Sequence, residues 1–135
     1  MKKLIFLVST FLTLNCWADW SAVSENTSNS TYYLDVQKIK QTKSYTYLWY
    51  LVDYLEPINV HPEYFAEDVM SEIQYLKVNC NKKRFQRLKV LLYGASMGTG
   101  ELKDDFVPTD NENWNKVTTG TAFEAVIDTV CGKGK

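Results

Sequence analysis

The segment Tyr45-Thr-Tyr-Leu-Trp-Tyr-Leu-Val-Asp-Tyr54 is the most apolar stretch of the chain beyond its first eighteen residues. Its side chains alternate between two faces with the period of two that is typical of a β-strand. One face carries Tyr45, Tyr47, Trp49, Leu51 and Asp53, and the other carries Thr46, Leu48, Tyr50, Val52 and Tyr54. Because both faces are apolar or aromatic, the segment predicts a central strand that is covered on both sides, at least in part.

Four shorter segments with the same alternation predict the rest of a sheet. Residues 20–24 and 31–36 are separated by a cluster of Asn, Ser and Thr, and this arrangement predicts a hairpin. Residues 70–79 and 84–93 follow the central strand and are joined by a tight connection. That connection places Cys80 at the end of a strand.

Proline and glycine predict the longer connections. Pro57 interrupts the alternation, so residues 56–68 are predicted to form a loop with a helical turn near Tyr64. Residues 94–100 contain three glycines but lack the Lys and the following helix of a phosphate-binding loop, and they predict a turn between strands. A polar loop is then predicted to run on to Trp114.

The C-terminal segment predicts an α-helix. Thr121 and Glu124 fit a capping box, in which the hydroxyl accepts from the Glu124 N–H and the carboxylate reaches back. Apolar side chains then recur with helical spacing at Phe123, Val126, Ile127 and Val130. Cys131 lies beside this apolar face.

The first eighteen residues indicate export. Two lysines precede a short apolar run that ends at Cys16-Trp17-Ala18, which is the pattern of a secretory signal peptide. Cleavage after Ala18 would leave residues 19–135, a length that is typical of one domain. These residues contain no apolar run long enough to predict a transmembrane helix. Lipidation at Cys16 is the alternative, although Thr13 and Asn15 fit a lipoprotein signal poorly.

Cysteine and charge counts narrow the class of protein further. Removal of the leader leaves Cys80 and Cys131, and an even pair in an exported chain predicts one disulfide. It also leaves 13 of the 15 basic residues against 16 acidic ones, a formal charge of about −3 that argues against nucleic-acid binding. With His61 as the only histidine, no C-x-x-C pair and no G-x-S-x-G motif around Ser96, we predict a non-enzymatic protein without a metal or cofactor.

One charge concentration opposes the net sign of the chain. The candidate partner-binding residues are Lys82, Lys83, Arg84, Arg87 and Lys89. A period of two would place the last two on one face of a strand, beside a turn that carries the others. This basic segment predicts an anionic partner, namely a polyanionic glycan, a lipid head group or an acidic protein. The alternative is a solvated edge strand whose charges discourage sheet association.

Nine Tyr and four Trp also favour recognition, because these side chains are enriched in binding hot spots. Those of the central strand are expected to fill the core. Tyr32, Tyr33 and Tyr64 are predicted to be more exposed.

The order of these features resembles the surface-adhesin protein E family of exported bacterial proteins, over nearly the whole of residues 19–135. The matching features are Trp20, Tyr32-Tyr33-Leu34-Asp35, Trp49, Asn79-Cys80-Asn81-Lys82-Lys83-Arg84-Phe85-Gln86-Arg87, Tyr93, Met97-Gly98-Thr99-Gly100, Trp114 and Val130-Cys131. The chain departs at Thr119-Gly120-Thr121, where such proteins commonly have Pro-Gly-Ser. The glycine and the capping hydroxyl are kept.

The resemblance implies an α+β fold, in which an antiparallel sheet of five or six strands is tethered by a disulfide to a C-terminal helix. Family members are associated with adhesion to host extracellular-matrix and serum proteins. The leading hypothesis is therefore a binding protein of the cell envelope, in the periplasm or at the outer surface. A periplasmic structural or assembly factor without a host ligand is the alternative. An unpaired aromatic edge strand would also allow a homodimer.

Overall fold

The alternating segments form one antiparallel β-sheet in the computed structural model, which describes residues 19–26, 29–60 and 66–132. Its strands are β1 (Trp20–Asn26), β2 (Ser30–Asp35), β3 (Lys40–Gln41), β4 (Thr46–Val60), β5 (Ala66–Asn79), β6 (Arg84–Ala95), β7 (Thr99–Phe106) and β8 (Asn115–Lys116). The main path runs β1-β2-β4-β5-β6-β7, while β3 pairs with β4 and β8 pairs with β6. The predicted fold class is confirmed. The predicted leader, His61 and Tyr64 lie outside the described residues.

The central strand β4 is longer than predicted. The predicted loop over residues 56–68 is largely wrong, since most of these residues belong to β4 and β5. β4 continues to Val60 and β5 already begins at Ala66. The ladder between them passes from Asp53 to Ile58 with a shift of register. Pro57 lies inside this shift, where its missing N–H removes no ladder hydrogen bond.

The polar segment after Gly98 is also a strand, β7, where the sequence predicts a loop. The turn before it places Met97 and Gly98 at positive φ, 59° and 68°. β7 then pairs antiparallel with β6, from Ala95↔Thr99 to Val90↔Phe106. Most of its side chains are exposed, so the alternation of apolar residues that identifies a half-buried strand is absent.

A helix, α1 (Ala122–Cys131), covers one face of the sheet, which we call the helix face. The core at this face contains the buried side chains Leu34, Leu48, Tyr50, Val52, Leu76, Val78, Val117, Val126, Ile127 and Val130. None of them is more than 6% exposed. On the opposite face, the turn at Ser96–Gly98 lies against Leu51 and Ile73. The central strand is therefore covered in part on both sides, as predicted.

The ends of α1 are fixed by a cap and by the predicted disulfide. Thr121 Oγ1 accepts from the Glu124 N–H at 3.1 Å, and Glu124 Oε1 accepts from the Gly120 N–H at 3.2 Å. Cys80, which directly follows β5, is bonded to Cys131, the last residue of α1. The tether between sheet and helix is confirmed. Within the described residues, no helix has the length and apolar character needed to cross a membrane.

Candidate partner-binding surface

The predicted basic segment is divided by the fold, and Lys83 is turned towards α1. Its Nζ lies 3.0 Å from Glu124 Oε2 and 3.2 Å from Asp128 Oδ1. These hydrogen bonds raise the pKa of Lys83. The backbone N–H of Gly120, and then Lys83, lower the pKa of Glu124. Lys83 is therefore engaged with two carboxylates of α1 and links the turn before β6 to the helix.

Arg87 and Lys89 are also paired with carboxylates, but on opposite faces of β6. Arg87 Nη2 lies 3.1 Å from both carboxylate oxygens of Asp110, and Lys89 Nζ lies 3.2 Å from Asp105 Oδ1. A bulge places Arg87 opposite Leu76 and Lys89 opposite the preceding residue of β5, Tyr75. The prediction that they share a face is wrong, because the bulge adds a residue between them and reverses the alternation.

Lys82 and Arg84 are the members of the basic segment that remain available. Both are exposed, and neither has a carboxylate within 4.0 Å among the described parts of the chain. Arg84 stands directly opposite Lys116 in the β6–β8 ladder. Like charges in such a pair repel each other, so this position is costly to the fold. β6 pairs with β5 on one side, and on the other it pairs with β8 at residues 84–85 and with β7 from residue 90, so it is not the outermost strand of the sheet.

A row of aromatic side chains crosses the face of the sheet opposite to α1. The rings of Trp49 and Tyr75 stack with centroids 4.6 Å apart, and Tyr47 lies 6.1 Å from Tyr75. Tyr45 stacks on Trp114 at 5.5 Å. All five rings are partly exposed. The expectation that the aromatic residues of the central strand fill the core therefore fails for the three of them on this face.

Lys77 joins the aromatic row and adds a cation to it. Its Nζ lies 4.2 Å from the ring centre of Tyr45 and 5.7 Å from that of Trp114. Both contacts are within the distance of a cation–π interaction. We call this surface the aromatic face, and it consists of Tyr45, Tyr47, Trp49, Tyr75, Lys77 and Trp114.

Further cations border the aromatic face. Cross-strand partners project from the same side of a sheet. Lys40 is the partner of Tyr47, Arg84 is the partner of Asn79, two residues from Lys77, and Lys116 is the partner of Arg84. We call Lys40, Arg84 and Lys116 the basic rim. All three are exposed, without a carboxylate within 4.0 Å in the described part of the chain. Flat apolar rings and free positive charges thus lie side by side.

The sequence did not predict this surface, because the surface depends on long-range strand pairing and on which face of the sheet the helix covers. Trp114 and Lys77 come from segments far apart in the sequence, and only the β6–β8 pairing brings them together. Of the three tyrosines predicted to be more exposed, Tyr32 and Tyr33 lie in the described residues; both are intermediate in burial, and Tyr32 stacks on Tyr50 at 6.2 Å on the helix face. The period-two signal did identify the side chains that share a face. It did not show which face would be covered.

Comparisons with known proteins agree with the fold described above. A family model for the surface-adhesin protein E matches residues 20–132. The chain belongs to the surface-adhesin protein E family. A comparison with curated protein sequences gives no significant match.

Solved structures of Haemophilus influenzae protein E share the fold. Crystal form II has 18% sequence identity and a TM-score of 0.59, with 83% of this chain and 86% of that chain covered. The structure from a non-typeable strain also has 18% identity, with a TM-score of 0.56 and coverage of 87% and 78%. At 18% identity this likeness establishes the fold alone.

Proposed function

We propose that the mature chain is a non-enzymatic, adhesin-like protein of the bacterial envelope that binds a macromolecular partner through the aromatic face and the basic rim. The partner would be a host extracellular-matrix or serum protein, or a polyanionic glycan. Membership of the surface-adhesin protein E family supports the general role. The observation that carries the proposal is the cation-bordered aromatic face itself.

The chemistry of this surface fits an anionic partner with flat apolar segments. Tyr and Trp supply rigid contact area at a small entropic cost, and they are enriched among hot-spot residues. Lysine and arginine on the same surface attract carboxylate or sulfate groups. A polyanionic glycan offers both features, because its sugar rings carry apolar C–H faces between charged substituents. From the predicted basic segment, Arg84 and Lys82 contribute to this proposal more than the three ion-paired residues.

The test is the salt dependence of binding to heparin, to serum proteins and to purified matrix proteins. We expect the double variant Arg84→Gln/Lys116→Gln and the single variant Trp49→Leu each to weaken binding by about tenfold or more, equivalent to ~1.4 kcal/mol. The matched control is Lys103→Gln, since Lys103 lies on β7 and is paired with Glu101. Binding should also weaken as salt rises. Absence of binding by the wild type, or equal binding by all variants, would refute the proposal.

Export and location are separate parts of the proposal. N-terminal sequencing of the envelope protein should begin at Asp19, as cleavage after Ala18 requires, whereas an acylated Cys16 would establish a lipoprotein. Protease digestion on intact cells should remove a surface adhesin. Protection until the outer membrane is opened would instead favour the periplasmic structural or assembly factor. A homodimer also stays a proposal. Light scattering of the purified protein would test it by measuring the molar mass in solution.

A further inference from the structure

The helix face has a polar centre at the border of the part that α1 covers, where the Tyr50 ring lies 5.4 Å from that of Phe123 in α1. α1 packs against the end of this face that contains Leu48 and Val78, and a second apolar cluster around Val69 and Leu92 lies at the other end. Between them lie Glu72 and Gln74 of β5, beside tyrosines of the neighbouring strands. The cross-strand partners are Tyr32↔Val52, Val52↔Glu72 and Tyr50↔Gln74. We call Tyr32, Tyr50, Tyr54, Glu72 and Gln74 the tyrosine site.

Glu72 places a largely buried carboxylate in this site without an ion pair. Gln74 Nε2 donates a hydrogen bond to Glu72 Oε1 at 2.9 Å. Burial raises the pKa of Glu72, while Gln74, the Tyr54 hydroxyl and the charge of Arg87 act in the opposite direction. Among the described residues no Lys or Arg nitrogen lies within 4.0 Å of it, and Arg87 is itself engaged with Asp110. The carboxylate thus lacks the direct cation that buried carboxylates usually have.

Gln74 adds an acceptor that has no donor. Its side chain is more than nine-tenths buried, at 7% exposure. The Oε1 atom has no hydrogen-bond partner in the described structure. The NH₂ group of the amide faces Glu72, which is the orientation that an ionised carboxylate requires. Buried carbonyl oxygens are almost always hydrogen-bonded, so an unpaired one next to a carboxylate indicates a missing donor.

Three tyrosine rings surround these acceptors. Tyr32 and Tyr50 are nearly parallel, with an interplanar angle of 6°. Burial raises the pKa of Tyr32 and of Tyr54, so both rings stay neutral and keep the negative π-face that attracts cations. Tyr32 and Tyr54 are only partly buried, so a ligand would reach the acceptors past the exposed edges of these two rings.

We propose that the tyrosine site binds an alkylammonium group. The Glu72 carboxylate would neutralise the charge, the Gln74 carbonyl would accept one N–H, and the rings would enclose the carbon chain and the cation. The ligand could be the lysine side chain of a partner protein or a free amine, since both present the same group. The site lies on the opposite face of the sheet from the aromatic face, so the two proposals stand or fall separately.

The experiment is an NMR titration of the mature chain with n-butylammonium, with n-butanol as the neutral control of the same shape. We expect saturable shifts of the Gln74 side-chain amide and of the Tyr32 and Tyr54 ring resonances with the ammonium only. Glu72→Gln should raise the Kd by about tenfold or more. Glu67→Gln, an exposed carboxylate on the same strand, should leave the Kd unchanged.

Two further arms make the outcome decisive. Tyr32→Leu keeps the carboxylate but removes a ring, and it should also weaken binding; it serves as the test if Glu72→Gln fails to fold. Tighter binding of Nα-acetyl-lysine amide than of cadaverine would identify a partner's lysine as the ligand, and the reverse order would identify a free amine. No saturable shift in the wild type, equal shifts with n-butanol, or full binding by folded Glu72→Gln or Tyr32→Leu would overturn the proposal.

Discussion

Removal of the disulfide should destabilise the protein by an amount that can be worked from its position in the chain. Cys80 and Cys131 are 51 residues apart in sequence. In the chain-entropy model, a closed loop of that length lowers the entropy of the unfolded chain enough to contribute about 4 kcal/mol at 25 °C. For a domain of this size each kcal/mol corresponds to about 4 °C in Tm. The double variant Cys80→Ser/Cys131→Ser should therefore melt about 15 °C below the wild type.

The double variant should still fold, because α1 keeps its packing without the tether. Val126, Ile127 and Val130 are buried against the sheet, and the Thr121 cap does not depend on the disulfide. The assay is urea unfolding followed by circular dichroism, with and without a reductant. We expect the reductant to destabilise the wild type by the same ~4 kcal/mol and to leave the variant unchanged. A loss below ~1 kcal/mol, or two free thiols in protein purified from the envelope, would refute the reasoning.

Three further predictions concern the core, one turn and one buried carboxylate. Leu48→Ala should lower the free energy of unfolding by about 2–5 kcal/mol, because Leu48 is fully buried. The control Leu55→Ala should change it by less than ~0.5 kcal/mol, because Leu55 is 74% exposed. Similar urea midpoints for the two variants would contradict this prediction. Gly98→Ala should cost at least ~1–2 kcal/mol, because φ is 68° and the new Cβ would lie 2.6 Å from Ile73 Cδ1; an unchanged Tm would contradict it. Burial raises the pKa of Glu72, so Glu72 keeps its proton to higher pH in the folded state than in the unfolded state. The free energy of unfolding of the wild type should therefore fall as the pH rises from the unfolded-state pKa through the folded-state pKa. Glu72→Gln should lack this decline, and parallel pH profiles of the two proteins would show the sign to be wrong.

The sequence predicted the parts of the fold that carry a strong local signal. The period-two alternation located five of the six strands on the main path of the sheet, and the Thr121 cap located the start of the helix. β7 was missed because its side chains are mostly polar, so that its pairing with β6 has no signal in its own sequence. The continuation of β4 past Pro57 was missed for a related reason. A bulge that accommodates proline depends on the neighbouring strand, which local propensity does not report.

The candidate surface was harder to predict, because it depends on which charges find partners. Lys83, Arg87 and Lys89 appear in sequence as part of one basic run, yet each pairs with a carboxylate contributed by a different later segment. Arg84 lacks such a partner and faces Lys116 instead. These pairings follow from long-range contacts and one bulge. A count of charges along the chain therefore overstated the positive patch at one place and missed Lys116 altogether.

The abundance of tyrosine and tryptophan follows from the dimensions of the two layers. β4 has 15 residues and α1 has 10, so the strand extends about 50 Å and the helix about 15 Å. One such helix cannot cover even one face of the long central strands. The remaining surface must tolerate partial exposure, and aromatic side chains with a polar group do this better than Leu or Val. Trp49 and Tyr75 then remain within reach of a partner on one face, and Tyr32 and Tyr54 on the other, so the short helix leaves both proposed binding surfaces open.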